Sequence, residues 1–407
     1  MNQHLGQKAQ QKLKQLAECS ASSVGVTRLP FTPEHHQANA LLKGWMEDAG
    51  LTVHPDDAGT LVGRYDAGND APTLLMGSHQ DSVKQGGSYD GIMGVVLPII
   101  ALETLHHQGR KLPFSVEVLA FADEEGVRFP TALVGARALA GTLDEQVLNR
   151  KDKDGITLKQ ALTDFGVNPD NIGKLKRDAN KTLGFIETHI EQGPVLEHEN
   201  TPLGVVTAIS GIERHQLTFK GQAAHAGTVP MHLRKDALTA AAEMIREAEK
   251  LAIKMPDLLA TVGQLDVTPN VVNAVPGSVS MSIELRSPVD EVREKAGEML
   301  QAFARETALL RGLEYSIKRT YSQSAVECAH PLKLAINRAI VSTNSRVLQL
   351  PSGATHDASA MADLTRVAML FVRCKKGISH NPAEYASDED MELAIEALIS
   401  LLTNMQS

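Results

Sequence analysis

Cysteine is scarce: Cys19, Cys328 and Cys374 are the three in 407 residues, and no CxxC pair occurs. That excludes a disulfide framework and a thiolate zinc site. A basic surplus is also missing, since 40 Lys and Arg stand against 49 Asp and Glu for a net charge of −9. No nucleic-acid or anionic-membrane partner is expected, because either would want a basic face. The most apolar stretch, 92–102, is too short to span a bilayer and is broken by Gly94 and Pro98. The opening MNQHLGQKAQQKLKQLAECS has no apolar core of the secretory kind. These absences together lead to the expectation of a cytoplasmic protein. Neither GxGxxG nor GxxxxGK followed by Ser or Thr occurs, which speaks against a nucleotide-binding α/β protein. GxSxG is absent too, which speaks against a serine hydrolase.

What is present suits a globular protein, with 43% apolar and 22% charged residues. The length favours two domains. From Thr73 onward short apolar runs alternate with helical patterns. TLLMGSH, SVEVLAFA and 183–190 read as strands, and 91–107 reads as a helix. Such alternation predicts an α/β fold, a mixed and mainly parallel sheet with helices on both faces. After Gly211 the order becomes strand 213–220, helix 234–254, strands 259–267 and 278–286, helix 291–310 and strand 313–321. That is the β-α-β-β-α-β plan of a ferredoxin-like α+β domain. Beyond Cys328 the α/β alternation resumes, with strands at 346–350 and 367–372 and a helix from His356. The expected organisation is one α/β domain, 1–210 and 328–407, interrupted by an inserted domain, 211–327.

Metal-type side chains gather where the apolar strands end. His79 and Asp81 follow one strand and Asp90 lies in GGSYDG; Glu124 and Glu125 end another, His189 lies near the end of a third, and His380 follows a fourth. The carboxyl ends of strands line the functional crevice of open α/β sheets. Taken singly, Asp90 is as readily a helix cap, the glutamates a solvated strand end, and any one of 15 histidines a packing residue. Taken together, imidazole and carboxylate are what a zinc-like or manganese-like divalent ion selects. Adjacent strand residues point to opposite sides, so Glu124 and Glu125 can differ in role only if the chain turns, and Gly126 permits a turn.

The blocks HQDSV, GGSYDG, DEEGVRF, ETHIEQGPVLE, GQAAHAGTVPMHLRKDAL, SGATHDA and GISHNPAE resemble the M20 metallopeptidase superfamily. The similarity is greatest to its amidohydrolase branch, the N-carbamoyl-L-amino-acid hydrolases and allantoate amidohydrolases. It implies two divalent ions, Zn or Mn with Co or Ni as alternatives. His79, Asp90 and His189 would hold one, and Asp90, Glu125 and His380 the other, Asp90 bridging. It further implies Glu124 as general base and Asp81 as the carboxylate that orients the His79 ring. Gln192 would lie beside the metals. His225 would contact the scissile carbonyl or its oxyanion, Asn273 and Arg286 would grip a substrate carboxylate, and His356 would help bind substrate. Without the resemblance, Arg286 reads as a surface ion-pair residue and Asp357 as a helix cap.

The implied substrate is a small ureido carboxylate, either allantoate or an N-carbamoyl amino acid, and RFP after the glutamates leans toward the allantoate group. The implied assembly is a homodimer through the inserted domain. Two residues depart from the family pattern: Thr355 stands where Gly is usual, and Gln80 replaces an aliphatic residue. An aminoacylase or dipeptidase with the same metals is the near alternative; His189 argues against it, because peptidases of the superfamily commonly have an acidic residue there. A metal-binding scaffold without catalysis is the other, and the retained Glu124 argues against that.

Overall fold

The computed structural model describes residues 4–68 and 70–405. They divide into two compact units, Met1–Thr207 with Cys328–Leu350 and Ala354–Ser407, and Ala208–Glu327 with Pro351–Gly353. The second unit thus begins before Gly211 and recruits a short return segment, because the Ser210 N–H is bonded to the Ser352 carbonyl.

In the first unit the strands come in the order β1 (Thr52–Pro55), β2 (Leu61–Tyr65), β3 (Thr73–His79), β4 (Ser115–Phe121), β5 (Thr182–Ile190) and β6 (Leu203–Ile209). The apolar runs of β3, β4 and β5 are buried on both faces, as in a sheet covered by helices. β3 pairs in parallel with β4 and with β5. The antiparallel hairpin β1–β2 extends the β4 edge. The helix Met93–His107 is buried nearly throughout. It lies so close to β5 that a Cβ on Gly94 would come within 2.1 Å of the Thr188 carbonyl oxygen. The helix Pro33–Asp48 starts on Thr32, whose side chain accepts the His35 N–H, with proline in the first turn.

The second unit carries β7 (Gly211–Lys220), β8 (Ala224–His225), β9 (Leu259–Thr261), β10 (Leu265–Thr268), β11 (Ala274–Val275), β12 (Ser278–Ser287) and β13 (Glu314–Gln323). Among the described residues its main sheet runs β10-β12-β7-β13, with β9 also on β12, all antiparallel. β12 alternates half-buried and buried positions, so one face meets the helices Ala237–Lys254 and Asp290–Arg311. Phe219, Met244, Met281, Ile283 and Leu300 fill that interface, each burial worth about 1.5–3 kcal/mol. The strand expected at 259–267 is two short strands, interrupted at 262–264.

The chain closes the second unit with β14 (Val326–Glu327) on the end of β6. It then supplies β15 (Leu348–Ser352) beside β6 and β16 (Val367–Val372), parallel to β5 and antiparallel to β6. Four adjacent strands, β4-β3-β5-β16, therefore run parallel at the centre of this sheet. The helix expected from His356 is one short turn, Asp357–Met361. Among the described residues no helix is long and apolar enough to cross a membrane.

Candidate metal centre

Because those four strands run parallel, their carboxyl ends share one edge of the first unit. His79 is the last residue of β3 and His189 the next to last of β5. Asp90 stands just ahead of the helix Met93–His107, and Glu124 and Glu125 follow β4. His380 comes after β16 on a loop, with φ of +54°. The turn that separates Glu124 from Glu125 begins earlier than Gly126, at Asp123, whose φ is +59°.

Two groups of three ligand-type side chains share Asp90. They are His79, Asp90 and His189, and Asp90, Glu125 and His380, each with candidate ligand atoms within 4.8 Å of one another. Asp90 divides its oxygens between them. Its Oδ1 faces His79 Nε2 at 3.6 Å and His189 Nε2 at 3.2 Å. Its Oδ2 faces His380 Nε2 at 3.3 Å, and Glu125 Oε1 lies 3.6 Å beyond that nitrogen.

The Nδ1 atoms of His79 and His189 each lie 2.9 Å from a backbone carbonyl, of Asp81 and Ile190. A carbonyl only accepts, so these nitrogens carry hydrogen and the Nε2 atoms present lone pairs whenever the rings are neutral. The Gly91 N–H pointing at His189 Nε2 at 3.2 Å fits that tautomer. Two lone pairs converging on a carboxylate oxygen need a cation among them. The residues therefore fit a metal ion, and the buried Glu125 Oε1 and Gln192 Oε1, which have no hydrogen-bond partner, fit it too.

The electrostatics demand positive charge. Burial opposes charge on His79 and His189, yet Asp90 and the surrounding carboxylates raise both above the ordinary imidazole range. The Asp90 contact lifts His380 to about 8. Burial works against Asp90 ionising, but its three histidines hold it well below the carboxylate range. Burial, reinforced by Glu125 and Asp357, raises Glu124 well above that range. That direction suits a group that must take up a proton and pass it on. Glu124 Oε2 is 3.9 Å from His79 Nε2.

Asp81 departs from expectation. Its backbone carbonyl, not its carboxylate, meets the His79 ring. The carboxylate accepts the N–H groups of Glu124 and Glu125 at 3.1 and 3.2 Å and so fixes the turn that presents both glutamates. The reason is the left-handed Asp123, which points two successive amides back toward β3. Gln192 donates to Asp90 Oδ2 at 2.9 Å. His356 is buried, its ring 4.5 Å from that of His189, and burial with the His189 charge keeps it well below the imidazole range.

The remaining expected residues lie in the second unit. His225 and Asn273 are brought together by the β8–β11 ribbon, where the Ala226 N–H meets the Asn273 carbonyl. Arg286, on β12, donates to Glu284 Oε1 at 2.7 Å and to the Gly353 carbonyl at 2.6 Å.

Three residues were missed. Glu187 accepts the Ser78 hydroxyl at 2.6 Å and the Ala358 N–H at 2.8 Å, anchoring the turn that carries His356. Its signal was present, because Glu187 and His189 are two apart on a strand and share a face. Ser379 and Glu384 lie in the GISHNPAE block, and both reach the Asp90 loop. Arg128, in RFP, is bound to Asp152 and to the carbonyls of Pro30 and Phe31.

A carboxylate shared between two His-and-carboxylate triads, with a further buried glutamate alongside, defines a metal-dependent hydrolase centre. Residues 75–404 match Peptidase family M20/M25/M40, and the chain belongs to that family. It is 38% identical to an N-carbamoyl-L-amino acid amidohydrolase of Geobacillus stearothermophilus, over 97% of both chains. It is also 38% identical to an allantoate deiminase of Arabidopsis thaliana, covering 96% of this chain and 81% of that one. A hydantoinase/carbamoylase-family amidase from Burkholderia multivorans superposes with a TM-score of 0.92 at 33% identity, over 98% of this chain and 97% of that one. Within its family the chain is a metal-dependent amidohydrolase of the branch that holds these enzymes.

Proposed function

We propose that this amidohydrolase cuts the ureido C–N bond of allantoate or of an N-carbamoyl-L-amino acid, releasing ammonia and CO2. The observation that carries the two-ion part of this reading is the division of Asp90, one oxygen toward each triad. His79, Asp90 and His189 would hold one divalent ion, and Asp90, Glu125 and His380 the other, with Zn or Mn the native metal. Such ions polarise a carbonyl and bring the pKa of water toward neutrality. Glu124 takes the proton of the attacking water and delivers it to the departing nitrogen, which leaves poorly as an anion. The buried His356, its ring 4.5 Å from that of His189, would help bind substrate.

The substrate assignment rests on the named activities of the relatives, which are of two kinds. Allantoate and N-carbamoyl amino acids share a ureido group next to a carboxylate-bearing carbon, so one architecture serves both. Ammonia release from allantoate, several N-carbamoyl-L-amino acids, ureidoglycolate and dipeptides tests it. Turnover confined to dipeptides would replace it with a peptidase reading.

The second unit extends the proposal as a substrate-gripping lid and a homodimer contact. Exposed apolar side chains near its β8–β11 ribbon, Met231, Leu233, Val271 and Val272, support a partner surface there. His225 would address the scissile carbonyl, and Asn273 and Arg286 the substrate carboxylate. Arg286 would then exchange its single bond to Glu284 for the substrate carboxylate, which a guanidinium can grip bidentately. Small-angle scattering with and without a slow inhibitor tests the lid and dimer together; an unchanged monomeric profile counts against them.

A further inference from the structure

The second oxygen of Asp90 has more partners than the first. Besides His380, its Oδ2 receives the Gln192 amide at 2.9 Å and the Ser379 hydroxyl at 2.6 Å. The same Gln192 nitrogen reaches Ser379 Oγ at 3.2 Å. Ser379 therefore accepts from Gln192 and has one hydrogen to give. It stands between two carboxylates, for Glu384 Oε2 is 3.1 Å away. Glu384 is buried, and its Oε1 accepts the N–H groups of Tyr89 and Asp90 at 2.8 and 3.0 Å. The loop wraps this carboxylate so closely that a Cβ on Gly87 would lie 2.1 Å from Oε1. The arrangement touches Oδ2 alone; nothing comparable reaches Oδ1, which faces only His79 and His189 among the described residues.

We propose that Ser379 and Glu384 form a hydrogen-bond switch that sets the affinity of the Asp90–Glu125–His380 site independently of the other. The inference rests on the reading that both triads take an ion. The Ser379 hydrogen occupies Asp90 Oδ2 when no cation does, and so competes with the cation. When a cation takes Oδ2, the hydroxyl turns to Glu384 Oε2 and its hydrogen bond is retained. Without an alternative acceptor the hydrogen would stay on Asp90 or lose its carboxylate partner in a half-buried place, and either outcome penalises ion entry. Glu384 is thus a positioning residue, acting through Ser379, and the His380-side ion is the exchangeable one.

Glu384→Gln separates this role from scaffolding. The amide oxygen still accepts the two backbone N–H groups, while the amide nitrogen offers Ser379 a donor in place of an acceptor. Co2+ binding, followed by equilibrium dialysis and visible absorption at pH 8, reads each site without reference to turnover. The ion lost in His380→Ala identifies the second site. Wild type should take up two ions in distinguishable steps. Glu384→Gln should weaken the second by roughly tenfold, the scale of one hydrogen bond to a charged group, and leave the first unchanged. Ser379→Ala, which removes the competitor, should bind the second ion at least as tightly as wild type, and this variant holds the test should Glu384→Gln fold poorly. In Ser379→Ala/Glu384→Gln the tenfold loss should vanish. Equal weakening of both ions, a loss that persists in the double variant, or a weaker second ion in Ser379→Ala would each overturn the switch. Uptake of one ion by wild type would instead overturn the two-ion reading beneath it.

Discussion

Gly91→Ala tests whether the His79 ring is held where an ion needs it. Gly91 adopts φ of +65°, and a Cβ there would lie 2.3 Å from His79 Cε1 and 2.4 Å from Nδ1 and Nε2. Ordinary contact begins near 3.4 Å, so the ring must retreat by 3.4 − 2.3, or about 1.1 Å. The ring is 2% exposed and tied through Nδ1 to the Asp81 carbonyl, which leaves it little room. Metal–ligand distances tolerate about 0.2 Å, so the ion at His79 and His189 should be lost or weakened by roughly 10–100-fold. The left-handed backbone adds about 1–2 kcal/mol of strain to the fold itself. Denaturation in chelator should show that strain together with an overpacking cost of about 1–3 kcal/mol, while dialysis against metal should show an additional loss of affinity at this site. Wild-type metal affinity in Gly91→Ala would refute the argument, because the clash would then have been relieved without moving the ligand.

Glu124→Gln should keep its ions and lose about 10²–10⁴-fold in turnover, since the amide cannot take the water's proton. Glu125→Gln should lose metal instead, and elemental analysis beside a turnover assay separates the two; the opposite pattern would reverse their roles. Asp56 gives a pH prediction. Burial outweighs two backbone N–H bonds and pushes its carboxyl up to about 7. Its stabilising contribution is therefore complete below the ordinary value near 4 and is lost as pH rises through about 7, at most about 4 kcal/mol. Asp56→Asn should lack that slope, so its stability relative to wild type should rise from pH 4 to pH 8 in denaturant titrations; parallel profiles would count against it. Arg286→Lys should raise the Michaelis constant for a carboxylate substrate without changing metal content. An unchanged preference for the acid over its amide would leave Arg286 as the Glu284 ion-pair residue that its contacts describe.

Much of the central sheet was legible because its strands are continuous apolar runs bounded by polar residues. The run 73–79 ends on His79 and becomes β3, and the run 367–372 becomes β16. The hairpin β1–β2 escaped notice because its first strand is mostly exposed and ends in Pro55, so it lacks that signature. In the second unit Gly263 sits at the break between β9 and β10, where a continuous strand was expected. Most of the metal-type residues stood out for the same reason as the strands, since they follow or end an apolar run; Asp90 stood out within the glycine-rich GGSYDG instead. Glu384 did not, because its partners are the backbone N–H groups of Tyr89 and Asp90, 295 and 294 positions away. Asp81 was misassigned in detail because the left-handed Asp123, which decides what its carboxylate meets, leaves no mark in a residue pattern.

The central claim is that two divalent ions share Asp90 and are required for hydrolysis. Elemental analysis of protein purified without chelator, paired with ammonia release from a ureido carboxylate, tests it most directly. The account predicts close to two ions per chain, loss of turnover on chelation and recovery with Zn, Mn, Co or Ni. Full turnover with one ion or none per chain, or turnover that survives chelation, would contradict it.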